Sequence, residues 1–383
     1  MGRTALILGA GFGGIVTAQA LRRALPRDDR VVLVDRADRH VFAPSLLWML
    51  VGRRSATQIS RPLQVLARNG IELVRGEIAR IDPAARSADV NGQTLGGDAL
   101  VIALGAEYDL SAVPGLAAAG HCLYTLEGAT AARDALQAFR GGRLVVLTAA
   151  PQYKCPAAPY EAALLVDAEL RKRGVRDRTE LVFYAAEPGP MMVAGPAVSA
   201  GVRGLVEARG ISYRPEHQVT AVDPAGGRIA FANAHEAPFD LLLYVPPHRA
   251  PAAVREAGLA NESGWIPVDR HTLATRFDGV YAIGDIAVIP LKMGRPLPKA
   301  GVFAHGEGEV VAHNIAAAWT GRGAPRRFEG EGACFIETGG GRAGMGKGNF
   351  YAEPVPAVQL HAPSLLWHGA KVLYEKYWLY ARF

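Results

Sequence analysis

The 383-residue chain carries 42 Lys and Arg against 36 Asp and Glu, a formal net charge of +6, with half its residues hydrophobic and a fifth charged. That length supports a large core and two or three domains, and the composition is that of an α/β globular protein. No run of about 18 apolar residues offers a spanning helix, the arginines are too scattered for a nucleic-acid footprint, and three cysteines are too few for a disulfide scaffold. The mild positive balance suits an anionic lipid surface or a small anionic substrate. The first strand begins three residues after Met1, so no signal peptide is expected and the cytoplasm, or the cytoplasmic face of a membrane, is the expected location.

Thr4–Leu8 reads as a buried strand and runs directly into Gly9-Ala-Gly11-Phe-Gly-Gly14. Residues 15–25 carry a helical pattern, and 31–34 form a second strand ending in Asp35. Gly9 permits the tight turn, Gly11 lets backbone approach a pyrophosphate, and Gly14 lets helix pack on strand. The helix N-terminus then offers free N–H groups and its positive dipole end to phosphate. Asp35, about 20 residues past the loop, is placed to accept ribose hydroxyls, which argues against a 2′-phosphate. The ligand is therefore FAD or NAD rather than NADP.

Pro44 interrupts any helix in the segment 40–48 and brings backbone near the nucleotide end of the sheet. Residues 58–68 are expected to be helical, 71–74 a strand, and the region from 76 a set of short strands. Residues 99–106 read as a buried strand entering a small-residue turn at Gly105-Ala106, suited to close approach by a ligand. A second α/β unit follows, with helices over 129–139, 160–173 and 198–208 and strands over 143–148, 181–184, 211–214 and 241–245. Asp278-Gly-Val-Tyr-Ala-Ile-Gly284-Asp285 returns to the first unit, a helix covers 302–319, and the remainder is strand-like before a C-terminal helix.

Gly9-x-Gly11-x-x-Gly14 with Asp35, the turn at Gly105-Ala106, and Val280-Tyr-Ala-Ile-Gly284-Asp285 together resemble the flavoproteins that have two dinucleotide-binding domains. The resemblance spans nearly the whole chain. It implies an α/β fold of two Rossmann-like domains, glutathione-reductase-like, with FAD as cofactor and Asp285 on the ribityl chain. The expected division is an FAD domain over 1–110 and 265–325, a second Rossmann-like domain over 111–264, and a C-terminal region over 326–383. Arg36, Pro44, Ile78, Lys299 and Val302 complete the expected cofactor contacts.

A pyridine nucleotide would need its own glycine-rich cradle after the strand 144–147. The segment there, Thr148-Ala-Ala-Pro-Gln-Tyr-Lys-Cys155-Pro-Ala-Ala-Pro-Tyr-Glu161, holds no glycine, and its prolines lack N–H groups. Cys155-Pro-Ala-Ala-Pro-Tyr-Glu161, Pro298-Lys-Ala-Gly-Val-Phe-Ala-His305, Gly332-Ala-Cys334-Phe-Ile-Glu337 and Gly344-Met345 resemble the sulfide:quinone oxidoreductases and the flavoprotein subunits of flavocytochrome c sulfide dehydrogenase. The resemblance implies a cysteine pair, Cys155 with Cys334, over one face of the flavin, and a third cysteine at Cys122. It implies oxidation of sulfide, or of a small thiol or persulfide, with electrons passed to a membrane quinone. The flavocytochrome alternative ranks second, because Val41-Phe-Ala-Pro44-Ser has no cysteine to tether FAD. An NADH:quinone oxidoreductase ranks third, and a flavin-bearing sensor without turnover is the reading from another class.

Lys154 beside Cys155 is expected to favour the thiolate, and Glu161 to handle protons, against a plain helix-dipole carboxylate as the alternative. Lys299 is expected near the reduced flavin. No cluster has metal-ligand spacing. The tail 363–383 alternates Leu, Trp and Tyr with Lys371, Lys376 and Arg382, the pattern of an amphipathic helix at a membrane surface. Quinone is expected near Phe303, Met345, Tyr377 and Trp378. A homo-oligomer is compatible with the sequence, which does not fix the assembly.

Overall fold

A computed structural model describes residues 2–383. The first unit contains β1 (Thr4–Leu8), α1 (Phe12–Ala24), β2 (Arg30–Asp35), β3 (Glu72–Arg75) and β4 (Ala99–Ile102). The second contains β5 (His121–Cys122), α2 (Leu126–Ala138), β6 (Gly142–Thr148), α3 (Ala158–Lys172), β7 (Thr179–Tyr184), α4 (Pro196–Glu207), β8 (Ser212–Arg214) and β9 (Leu241–Val245). Then come β10 (Val280–Ala282), α5 (Gly301–Thr320), β11 (Glu331–Gly339), β12 (Arg342–Asn349), β13 (Ala357–Ser364) and α6 (Leu365–Lys376).

The first sheet has the order β10-β4-β1-β2-β3, all parallel, so the chain re-enters it after the second unit. Ala5 to Leu8 in β1 are fully buried, the continuous apolar run that a parallel strand covered on both faces requires. Helices α1 and α5 cross where a Cβ on Gly308 would lie 2.8 Å from the Gly13 carbonyl oxygen. The second sheet, β5-β9-β6-β7-β8, is likewise parallel. The third is an antiparallel meander, β11-β12-β13, which lies on α3.

The helix expected over 58–68 does not form. Ser60–Pro62 is instead a short strand antiparallel to Arg39–Val41, and Leu63–Asn69 is a 3-10 helix ended by Gly70 in the left-handed region. Leu63 and Leu66, three residues apart, are buried on one side of the tighter helix, and Pro62 lacks the N–H that an α-helix through it would need. No described helix is long and apolar enough to cross a membrane.

Candidate active site

The C-terminal ends of β1, β4 and β10 meet at the place where ligands bind in doubly wound sheets. Gly9 adopts a φ of 100°, and a Cβ on Gly14 would fall 1.8 Å from the Gly9 carbonyl oxygen. Gly11 is the N-cap of α1, whose first turn has neither a side-chain cap nor an acidic residue. Its leading N–H groups therefore stay open to an anion. Asp35 accepts the Ala10 N–H at 2.6 Å and the Ala37 N–H at 2.8 Å, so its carboxylate is drawn against the glycine loop. Gly105 turns after β4 with no atom within 4 Å of where a Cβ would sit, and half-buried Ala106 follows. Gly284 and Asp285 form the turn after β10. A glycine-bent loop, an uncapped helix terminus and an acid one strand away fit a dinucleotide.

The other expected cofactor residues lie at different distances from this cradle. Arg36 is exposed and reaches Glu77 at 3.4 Å and Glu107 at 3.6 Å. Ile78 pairs with Val90 in a small meander, and Pro44 sits in a 3-10 turn ahead of the buried residues Leu46–Leu50. The Lys299 ammonium donates to the Asp285 carbonyl at 2.5 Å and stands 3.6 Å from the Trp265 ring centre. Burial lowers its pKa to about 8. Beside it, burial pushes the Glu307 carboxyl up to about 7, and that carboxylate accepts the Gly284 N–H at 2.5 Å.

Cys155 precedes α3 with a φ of 51°, a conformation unusual for a side chain of this type. Its N–H donates to the Lys299 carbonyl at 2.6 Å, which ties the cysteine loop to the cradle. Cys334 lies in β11 opposite Gly346. The two thiols are free, and each is the largest influence on the ionisation of the other. The hydrogen bond from Cys155 pulls the Cys334 thiol down and pushes that of Cys155 up, so Cys334 is the first to ionise. Both thiols feel the charges of Glu161 and Lys371.

Glu161, on α3, is 4% exposed, and burial raises its pKa. It pairs with the Lys371 ammonium of α6, whose charge opposes the effect of burial, while the nearby Glu337 carboxylate adds to it. Glu337, fully buried in β11, accepts from His368 at 2.8 Å. Lys371, Glu337, His368 and Glu307 are missing from the sequence-derived site. The available signal was Lys371 and Glu375, two charges four residues apart and so on one face of an otherwise apolar helix.

The Lys154 ammonium lies 4.8 Å from the centre of the Tyr108 ring; burial opposes its charge, while Tyr108, Asp285 and Cys155 hold its pKa up. Cys122 and the C-terminal tail depart from expectation. Cys122 is buried in β5 rather than joined to the pair, and burial pushes its thiol up. Trp378 is fully buried, wedged 4.3 Å from Phe12 and donating to His40 at 2.9 Å, so it is a core anchor rather than a lipid-facing residue. Lys371 is buried as well, which leaves Lys376 as the exposed lysine of α6.

The remaining expected quinone residues occupy separate neighbourhoods. Phe303 packs on Phe328 and Phe350, Met345 pairs with Phe335 and His361, and Tyr377 is exposed. An apolar groove of about 510 Å³ opens beside Cys334, lined by Pro156, Met191, Val302, Phe303, Val358 and Leu360 among others. Met191, like Cys155, has a positive φ, 45°. Among the described residues no group of three or more His, Cys, Asp or Glu is arranged to hold a metal.

In the second unit, β6 ends at Thr148 without a glycine turn. The buried Glu187 carboxylate nearby accepts hydroxyls from Thr148 at 2.7 Å, Tyr153 at 2.5 Å and Tyr160 at 2.6 Å. Its acceptor positions are filled from within the protein.

The sequence profile of the pyridine nucleotide-disulphide oxidoreductases matches residues 3–308. The chain belongs to that family. It is 29% identical to the sulfide-quinone reductase of Aquifex aeolicus, over 99% of this chain and 91% of that protein. It is 23% identical to the mitochondrial sulfide:quinone oxidoreductase of Mus musculus, over 91% of this chain and 79% of that protein. The crystal structure of the Aquifex aeolicus sulfide:quinone oxidoreductase superposes with a TM-score of 0.89 at 26% identity, covering 99% of this chain and 91% of that one.

Proposed function

We propose that the protein is a flavoenzyme that oxidises sulfide, or a small thiol or persulfide, through Cys155 and Cys334 and delivers the electrons to quinone. The observation that carries this reading is the thiol pair itself, tied through the Cys155 N–H to Lys299 at the dinucleotide cradle. Similarity to sulfide:quinone oxidoreductases along nearly the full chain supports it. The filled Glu187 carboxylate and the glycine-free segment after β6 speak against a pyridine nucleotide as electron donor.

Gly9, Gly11, Gly14 and the α1 terminus would hold the pyrophosphate of FAD, Asp35 its ribose and Asp285 its ribityl chain. Bound FAD supplies the two-electron redox capacity that connects the thiol pair to quinone. Hydrosulfide attacks the oxidised pair at Cys155, breaking its bond to Cys334. Cys334 leaves as the thiolate, favoured by the Lys371 charge and the Phe335 N–H beside it. Sulfur is then carried as a persulfide on Cys155, while Glu161 takes up the proton released beside it. Lys299, charged below about pH 8, sets positive charge next to the cradle.

Attachment to a membrane surface follows from α6. Its inward face carries Lys371 and Glu375, whereas Leu365, Leu366 and Leu373 are 63–70% exposed. Charged groups inside and leucines outside invert the pattern of a soluble surface helix and suit lipid. Phe303, which lines both the space beside the cradle and the apolar groove, is the group we assign to quinone access.

Anaerobic titration of the purified, FAD-loaded protein tests the reading. Sulfide bleaches the flavin band, and Cys155→Ala and Cys334→Ala abolish the bleaching while retaining FAD. Bleaching by NADH but not by sulfide overturns it.

A further inference from the structure

In a nucleotide-binding βαβ unit the acid at the end of the second strand faces the ligand's ribose, the place that Asp35 takes after β2. Glu187 stands at the matching place in the second unit, three residues past the end of β7, yet it turns inward. It is 6% exposed, and its carboxylate takes three hydroxyls. Thr148 donates to Oε2 at 2.7 Å, while Tyr153 and Tyr160 donate to Oε1 at 2.5 and 2.6 Å.

Of these donors only Tyr153 belongs to the cysteine loop, two residues before Cys155. Pro151 and Gln152 ahead of it are exposed, so the buried Tyr153 ring is where the loop re-enters the protein. A second hydroxyl grips the same loop. Tyr124, between β5 and α2, donates to the Lys154 carbonyl at 2.8 Å and reaches that of Cys155 at 3.3 Å. Between these anchors Cys155 keeps its φ of 51°, a strained conformation that persists only where the surroundings impose it. Pro156 adds to the strain, because a residue before proline prefers extended backbone. The conformation of Cys155 is thus held from outside its own loop.

We propose that Tyr153, anchored on Glu187, and Tyr124 are positioning residues that keep Cys155 within reach of Cys334, using the acid that a nucleotide would otherwise engage. The inference rests on the sulfide-oxidising reading above. Hydrosulfide attack separates the two sulfurs, and they must meet again before the next attack. How readily they do so depends on the effective concentration of one at the other, which a held loop raises.

The test is a thiol–disulfide equilibrium. The FAD-loaded protein is incubated anaerobically with graded ratios of reduced to oxidised dithiothreitol. Each dithiothreitol that closes its ring opens one Cys155–Cys334 bond to two thiols, which are counted by alkylation and mass. Tyr153→Phe is expected to shift the balance about tenfold toward the dithiol, the order that one hydrogen bond to a charged group supports. Bleaching by sulfide slows by a similar factor while FAD content is kept. Tyr160→Phe deletes a hydroxyl from the same carboxylate oxygen but not from the loop, so both readouts stay within about twofold. Tyr124→Phe shifts the balance in the same direction as Tyr153→Phe and serves if that variant does not fold. A balance that the loop variant leaves unmoved overturns the positioning role. So does an equal shift in Tyr160→Phe, since loss of a buried hydrogen bond alone would affect the two alike. Failure of sulfide to bleach the unaltered protein overturns the functional reading instead, and the dithiothreitol balance still decides whether the loop is held.

Discussion

The Glu161 carboxylate and the Lys371 ammonium, 210 residues apart, form an ion pair in which each side chain is 5% exposed. Removing one member of such a pair leaves an uncompensated buried charge, which costs about 3–5 kcal/mol, whereas removing both is far milder. Lys371→Met is therefore expected to lower the unfolding free energy, read from denaturant titration, by that amount. The double variant Glu161→Gln/Lys371→Met is expected to recover most of it. With Glu161→Gln completing the cycle, a loss in the double variant equal to the sum of the two single losses contradicts the pairing, because the coupling energy would then be near zero.

The glycine cradle makes a sharper demand. A Cβ on Gly14 would lie 1.8 Å from the Gly9 carbonyl oxygen and 3.0 Å from its carbon, contacts with backbone rather than with a movable side chain. Gly14→Ala must therefore push α1 off β1 or distort the loop. The expected outcome is a protein purified without its yellow colour, read directly from the flavin absorbance per mole of chain. Stoichiometric FAD in Gly14→Ala contradicts the placement.

These two sites differ in how readable they were. The cradle is local: strand, glycine loop, helix and Asp35 lie within one stretch, and each residue type answers a steric or electrostatic need of its neighbours. Cys155 was readable because proline and the missing glycines mark its loop. The role of Cys334 depended on family resemblance, since Ala-Cys-Phe-Ile alone is an ordinary core strand. Lys371 was misread as a cation at a lipid surface. A lysine on an apolar helix looks the same whether its charge meets water or a buried carboxylate, and only the tertiary fold brings Glu161 to it. The expected helix at 58–68 failed for a related reason, because apolar spacing does not separate an α-helix from a strand followed by a 3-10 turn.

Glu307 gives a pH signature. Burial raises its pKa from 4.5 to about 7, so between these values the folded state binds more protons than the unfolded state. Stability contributed by this group is full below about pH 4.5 and falls as pH rises toward 7, by about 3 kcal/mol in all. His40 and His248, lowered by burial to about 4 and about 3, act in the opposite direction, but equally in a Glu307→Gln variant. The unfolding free energy of the variant minus that of the unaltered protein is thus expected to rise across this window. A difference that stays flat with pH shows that Glu307 is ordinary. The complementary Lys299→Met variant should remove a gain in stability between pH 8 and about 10.5, since the folded pKa of Lys299 lies below its unfolded value.

The exposed leucines of α6 make the membrane prediction. Leu366 and Leu373 are each 70% exposed, and Lys376 lies beside them. Burying a leucine in an apolar phase is worth roughly 2 kcal/mol, so replacing two of them removes about a thousandfold in partitioning if their contributions add. Leu366→Glu/Leu373→Glu is therefore expected to stop co-sedimenting with phospholipid vesicles. Bleaching by sulfide should persist in this variant, because the inward residues Lys371 and Glu375 and the cap at Ser364, which accepts the Trp367 N–H, are untouched. Unchanged co-sedimentation would place the attachment elsewhere on the surface. Loss of sulfide bleaching together with vesicle binding would mean that the outer face of α6 also holds its inner face, and with it the Lys371–Glu161 pair, in place.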